Sequence, residues 1–204
     1  MINFRFIINR FAKKILHPLK KRIKISDKGI NNKISIGKSF YYDKLYITFN
    51  GNDNEIIIGD NCRFMQTNHL YVQGEHNKIQ IGNNVSFDQN VGILVAEGTK
   101  VTIEDNCMFA EGVRIRTSDQ HPIYSSKDKE RINKAKDVHI NNSVWLGANV
   151  VVNKGCTIGM GSIVGINSIV TKDIEAGCVA VGVPAKVVKE NVYWSKDFEN
   201  NGNL

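Results

Sequence analysis

His121 sits in the run SDQHPIY, inside a 21-residue stretch from Thr117 to Asp137 that shows no apolar periodicity. A neutral imidazole with an ordinary pKa of about 6.5 can take a proton from a hydroxyl at physiological pH, and a sugar hydroxyl is a poor nucleophile until that proton leaves. A histidine in a surface loop can equally do no chemistry, and the residue alone leaves both readings open. Asp119, two residues earlier, can orient the imidazole or point elsewhere. Of the other histidines, His17 lies in a basic segment, and His69 and His76 fall on sides or corners of a repeat. His139 alternates with Val138 and Ile140 and is expected to face outward. No metal-ligand spacing occurs, and the cysteines at 62, 107, 156 and 178 form no CxxC pair, so no metal site is expected. Trp145 follows Val144 at a position expected to point outward, where an indole needs covering by a ligand or by a second subunit.

The elements that hold these residues are legible as a count of six. From Ile140 the chain reads INNSVW LGANVV VNKGCT IGMGSI VGINSI VTKDIE. Ile140, Leu146, Val152, Ile158, Val164 and Val170 open the blocks, and Val144, Val150, Cys156, Ser162, Ser168 and Ile174 follow four places later. A period of six does not fit a helix. It fits short strands joined by tight corners, one aliphatic residue per side pointing inward and Gly or Asn where the backbone turns. Three sides make a coil, and coils stack by parallel pairing. Upstream, ISIGKSF, IIIGDNCRF, IQIGNNVSF and VTIEDNCMF repeat with isoleucines at 36, 58, 81 and 103. Cys62, Cys107 and Cys156 occupy one hexad slot and are expected to be small buried side chains. The spacing predicts an all-β solenoid of about six coils. Its organisation is a basic N-terminal segment 1–24, a β-helix domain 25–182 with the external loop 117–137, and a C-terminal extension 183–204. A loop this long in a compact domain is usually functional.

The net charge of +7 is unevenly distributed. Residues 1–24 carry eight Lys and Arg and no acid, while the rest of the chain is close to neutral. Phe4, Ile7, Ile8, Phe11 and Ile15 fall at helical spacing in that segment, and Pro18 should end the helix. A short amphipathic helix of this kind packs on its own protein or lies on an anionic membrane surface. Charges interrupt any secretory core, and no apolar run reaches the roughly 20 residues of a span. A reducing cytoplasm is the expected compartment, with peripheral contact at the inner membrane face open. Nothing points to nucleic acid.

The run VWLGANVVVNKGCTIGMGSIVGINSIVTKDI, the later AVGVPAKVV and the HP loop resemble the hexapeptide-repeat acyltransferases over roughly residues 55–190. Within them the chain is similar to the O-acetyltransferases of bacterial capsular polysaccharides, the polysialic acid group above all. The resemblance implies a left-handed parallel β-helix, a homotrimer, and acetyl-CoA bound between neighbouring helices as donor. It implies His121 as general base and Trp145 as part of the acyl site. Ala148 and Ile166 match positions along the pantetheine arm, Thr171 and Lys172 lie near the adenosine end, and Lys186 and Lys189 match basic residues near the phosphates. Ile166 departs from the small residue common in relatives, so its side chain must turn aside or the donor path must shift. Asp88 matches a polar position contacting the acceptor, with Asn90 nearby. The expected activity is O-acetylation of an acidic surface polysaccharide, probed against two alternatives. One is an acetyltransferase for a small sugar or lipid-linked oligosaccharide, and the other is a solenoid that binds without catalysis.

Overall fold

In a computed structural model of the chain, residues 22–196 are described, together with the backbone of Ile7–Ile8. Apart from Ile7–Ile8, which form a strand, the segment of the expected N-terminal helix lies outside the described residues. The described chain winds as a parallel β-solenoid with three faces.

Face one stacks β1 (Ile7–Ile8), β3 (Lys33–Ile36), β5 (Glu55–Ile58), β7 (Lys78–Ile81), β10 (Lys100–Ile103), β13 (Val138–Ile140) and β16 (Thr157–Ile158) in that order. The other two faces belong to one continuous sheet. Its upstream strands are β2 (Arg22–Asp27), β4 (Tyr41–Asn50) and β6 (Arg63–Gln73), and the latter two turn the corner within a single strand. Beyond them the faces separate. Face two stacks β8 (Ser86–Phe87), β11 (Met108–Phe109), β14 (Trp145–Leu146), β17 (Ile163–Val164) and β19 (Val179–Gly182). Face three stacks β9 (Gly92–Ala96), β12 (Arg114–Arg116), β15 (Val151–Val152) and β18 (Ile169–Val170). Six complete coils result among the described residues. A last strand, β20 (Ala185–Lys189), lies antiparallel on β19.

The hexads explain the winding. All six block openers from Ile140 to Val170 are fully buried, as are the residues four places later. Three places after an inward aliphatic or aromatic residue the backbone turns through positive φ, at Asn61, Asn84 and Asn106 on one corner and at Asn90, Asn149 and Asn167 on the next. Asn is among the few side chains that visit this region readily, and Gly112, Gly155 and Gly161 fill the same slot elsewhere. The core is a column of like residues. Phe64, Phe87 and Phe109 stack with ring centroids 4.2 and 5.0 Å apart, and Phe40 meets Phe64 edge-on. At the third corner a buried amide ladder runs from Asn77 to Asn54 to Asn32, each Nδ2 donating to the next Oδ1 at 3.0 Å.

The four cysteines are free and buried. Burial pushes the Cys62 and Cys156 thiols up to about 11 and that of Cys107 to about 12, and it raises Cys178 as well. A thiol held protonated and out of water does not react as a nucleophile. We expect an aromatic disulfide reagent at pH 8 to modify none of the four in the folded protein and all four in denaturant. A rapidly reacting thiol before unfolding would mean that a coil opens where the packing is closed.

Candidate active site

The chain leaves the solenoid after β12, at the corner between face three and face one, and returns at β13. The intervening loop is braced against that corner. Thr117 and Ser118 are buried at its root. Thr117 Oγ1 accepts from the Ala96 N–H, and Gln120 Nε2 donates to Gln73 Oε1 at 2.9 Å, two coils upstream. Arg131 grips Glu97 through two hydrogen bonds of 2.7 and 3.0 Å, and Ser118 donates to the same carboxylate. Tyr124 and Arg131 form an antiparallel bridge, which makes the middle of the loop a small hairpin. Its apolar side chains Ile123, Tyr124 and Ile132 are exposed.

Asn133 is the hub. It is nearly buried; its Nδ2 donates to the His121 carbonyl at 2.8 Å and to Asp119 Oδ2 at 2.9 Å, and its Oδ1 accepts from the Ile123 N–H at 2.7 Å. His121 therefore has its backbone held on both sides while its imidazole is exposed, with no hydrogen-bond partner among the described residues. Asp119 does not orient the ring. Its carboxylate takes Lys154, which also donates to the Asn133 carbonyl at 2.9 Å. Lys154 and Asn133 are the residues that sequence reasoning missed. Lys154 sits in the third-corner turn of the coil that follows the loop, and nothing in its hexad distinguishes it from a solvated lysine.

The Lys154 ammonium holds the Asp119 carboxyl below its ordinary range; burial opposes it and the Asn133 amide adds to it. A depressed carboxyl contributes stability that is complete above its unfolded pKa of about 3.9 and is lost as pH falls through the folded value. The clamp on the loop thus stays closed at pH 5 and opens only in stronger acid. Carbon NMR of the Asp119 carboxyl should give a midpoint below about 3.9 that returns to the ordinary range in Lys154→Ala. The same variant should lose about ten- to a hundredfold in kcat through a misplaced base, with the KM for donor unchanged. An unchanged kcat would mean that the loop stands without this clamp.

The other predicted site residues lie elsewhere on the coil. Asp88 and Asn90, Ala148, and Ile166 occupy the corner between faces two and three, on successive rungs about 4.8 Å apart with one intervening coil at Ala110–Gly112. Ile166 is 65% exposed and turns to solvent, which leaves the corner backbone open. Gly147 keeps that row tight, since a Cβ there would meet the Ile166 nitrogen at 2.8 Å. Asn90 is held by Arg114, whose Nη2 donates to Asn90 Oδ1 at 3.0 Å and whose Nη1 donates to the Asn90 carbonyl. Trp145 points out of face two, 37% exposed, with the Trp194 ring 5.9 Å away and that indole N–H bonded to the Ser143 carbonyl. Thr171 and Lys172 are exposed past β18, and Lys186 and Lys189 are exposed on β20. The structure joins Asp88, Asn90, Ala148 and Ile166 in one row. It puts His121 on a different corner, a full face away. Among the described residues no three His, Cys, Asp or Glu side chains are placed to hold a metal.

No family model matches the chain. Among individual proteins, the polysialic acid O-acetyltransferase of Neisseria meningitidis is 36% identical over 191 residues, covering 84% of this chain and 89% of that protein. The polysialic acid O-acetyltransferase of Escherichia coli O1:K1 is 42% identical over 87 residues, 43% of this chain and 28% of that longer protein. The crystal structure of the polysialic acid O-acetyltransferase OatWY superposes with a TM-score of 0.74 at 33% identity, over 87% of this chain and 94% of that one. The chain belongs to the hexapeptide-repeat acetyltransferases. As a hexapeptide-repeat acetyltransferase it is a transferase, and an acyl-CoA is its class of donor. The alternative of a solenoid without catalysis falls away, because the relatives that carry the family assignment are transferases.

Proposed function

We propose that this enzyme transfers acetyl from acetyl-CoA to a hydroxyl of an acidic bacterial capsular or surface polysaccharide, with polysialic acid as the first acceptor to test. The observation that carries the reading is His121: an imidazole left free in solvent while its own backbone is clamped by Asn133.

The chemistry assigned to these residues is short. His121 takes the proton of the acceptor hydroxyl, the hydroxyl oxygen attacks the thioester carbonyl, and the C–S bond breaks. The imidazolium then returns the proton to the departing thiolate. Acetyl-CoA supplies the activated acyl group. Lys186 and Lys189 meet its phosphate charge, Thr171 and Lys172 lie at its adenosine end, Ala148 and Ile166 flank the arm, and Trp145 walls the acyl end. Asp88 and Asn90 orient the sugar.

His121 and the Ala148–Ile166 row occupy different corners, so one chain does not bring base and donor together. A homotrimer does, if the third corner of one copy meets the second corner of the next, and the exposed hairpin Ile123, Tyr124 and Ile132 then finds cover. The enzyme works in the cytoplasm, where acetyl-CoA is made, and the cationic charge of residues 1–24 suits peripheral contact with an anionic inner membrane surface. Among the described residues there is no helix long and apolar enough to cross a membrane.

Release of CoA thiol by purified protein is the test, with polysialic acid, neutral dextran and free sialic acid as acceptors. Release with the acidic polymer and little with dextran is expected. Release with dextran alone would overturn the acceptor class, and release with none of the three would overturn the proposed acceptor altogether.

A further inference from the structure

Face three carries a second pattern that the transfer chemistry does not use. Its strands are in register, so side chains that point outward form columns across the coils. One column runs Lys24, Tyr46, His69, Gly92, Arg114. The next runs Ser26, Thr48, Tyr71, Leu94, Arg116, and a third begins Arg22, Lys44, Thr67. Five cations therefore project at the two ends of a five-rung stretch, Arg22, Lys24 and Lys44 from its first two rungs and Arg114 and Arg116 from its last, over about 20 Å at the usual strand spacing. No carboxylate lies in these outward columns. None of the five makes an ion pair among the described residues. The nearby acids have their main partners elsewhere: Asp119 pairs with Lys154 and is only secondarily drawn to Arg116, Glu97 pairs with Arg131, and Asp43 accepts from the Gln66 N–H.

Between the cations lie rings. Tyr46 and His69 stack in parallel with centroids 5.0 Å apart and planes 9° from parallel. Burial and the neighbouring Arg114 hold the His69 imidazole below its ordinary pKa, so the pair presents a neutral aromatic surface. Gly92 follows in the same column, and its missing side chain is what lets Arg114 lie back toward Asn90. A Cβ at residue 92 would meet Arg114 Cδ at 3.1 Å.

We infer that the upstream part of face three is a track for an acidic polysaccharide, which lies across the strands with its carboxylates on Arg22, Lys24, Lys44 and Arg116 and its sugar rings on Tyr46 and His69. The inference rests on the acceptor class proposed above and deepens it. Cations without acids select an anion. The stacked pair between them adds uncharged surface on which a sugar ring can rest. A surface whose charges are all of one sign does not pair with itself, since like charges repel across a twofold contact. The track also leads to the chemistry. Its Arg114 end touches Asn90 at the second corner, and Arg116 immediately precedes the root of the His121 loop at the third. A polymer lying on this face meets both corners without crossing an edge.

The test uses Lys24→Glu/Lys44→Glu, far from the donor row, with Lys24→Arg/Lys44→Arg as the conservative control and Tyr46→Ala as a second probe. Binding of fluorescent long-chain polysialic acid is read by anisotropy without donor, so it does not depend on turnover. Wild type should bind the polymer more tightly than dextran, and added salt should weaken the binding. The charge reversal should weaken binding at least tenfold and raise KM for long polymer by a similar factor. Thermal midpoint, kcat and turnover of free sialic acid should stay as they are, and the arginine variant should behave as wild type. Binding by the reversed variant equal to wild type would overturn the track. So would wild-type binding no tighter than to dextran, or equal binding of single-stranded DNA, which would make the face a generic polyanion surface. Failure of CoA release with every acceptor, with tight charge-dependent polymer binding intact, would count against the transfer reading and leave the track standing.

Discussion

Replacing His121 by alanine lowers CoA release by about 10²- to 10⁴-fold, the range lost when a positioned general base is removed. The thermal midpoint should barely move. The side chain is exposed and makes no hydrogen bond among the described residues, so its removal opens no cavity and strands no buried partner. That separation of rate from stability is what makes the variant informative. In Asn133→Ala, by contrast, a nearly buried amide leaves Asp119, the His121 carbonyl and the Ile123 N–H without their partner. Rate and stability would fall together there. A His121→Ala variant as active as wild type would remove His121 from the mechanism and send the search for a base to the second corner, beside Asp88.

Phe87→Ala should cost about 3–5 kcal/mol, the usual loss for a fully buried aromatic truncated to alanine. Phe87 is the middle ring of the column, packed on Phe64 at 4.2 Å and on Phe109 at 5.0 Å. Both neighbours sit on rigid hydrogen-bonded rungs, so little can collapse into the gap. In a solenoid each coil is stabilised chiefly by its neighbours. The cavity therefore weakens the joint between the upstream coils and the coils that carry the loop. Urea unfolding followed by tryptophan fluorescence should show a lowered midpoint, and a second transition would mark the two halves coming apart. Trp145 and Trp194 both report from the downstream half. A loss below about 1 kcal/mol would show that the column tolerates a gap and that the rings are not its stabilising element.

The hexads were legible because the physics that sets them is local. An inward aliphatic, a small corner residue and an αL position recur within six residues, and Ile140 through Ile174 could be assigned side by side with all twelve marked positions buried. The upstream coils were harder to read. β4 and β6 turn a corner inside one strand, with a register shift between Tyr42 and Lys44, so no hexad marks the bend. The external loop was visible as a break in period, and His121 was visible inside it. The clamp was not. Asp119, Asn133 and Lys154 meet across 14 and 35 residues of sequence, and nothing periodic links them. Corner membership was also hidden. Asn90 and Ala148 fall on one edge of the prism because whole coils intervene, a relation that appears only after the coil is wound.

The strand β20 has a consequence for the life of the molecule outside the cell's chemistry. A stack of identical parallel rungs has no natural stopping point, and an open end is a template on which another chain can continue to add, as in a fibre. Here the place above β19 is taken by a strand running the opposite way, with Lys186 and Lys189 exposed along it. A reversed strand offers the wrong polarity for the next parallel rung, and its ammonium groups repel a second end brought up against it. The lysines assigned to donor phosphate thus also terminate growth, and a substitution chosen to weaken the donor would at the same time loosen the guard against aggregation.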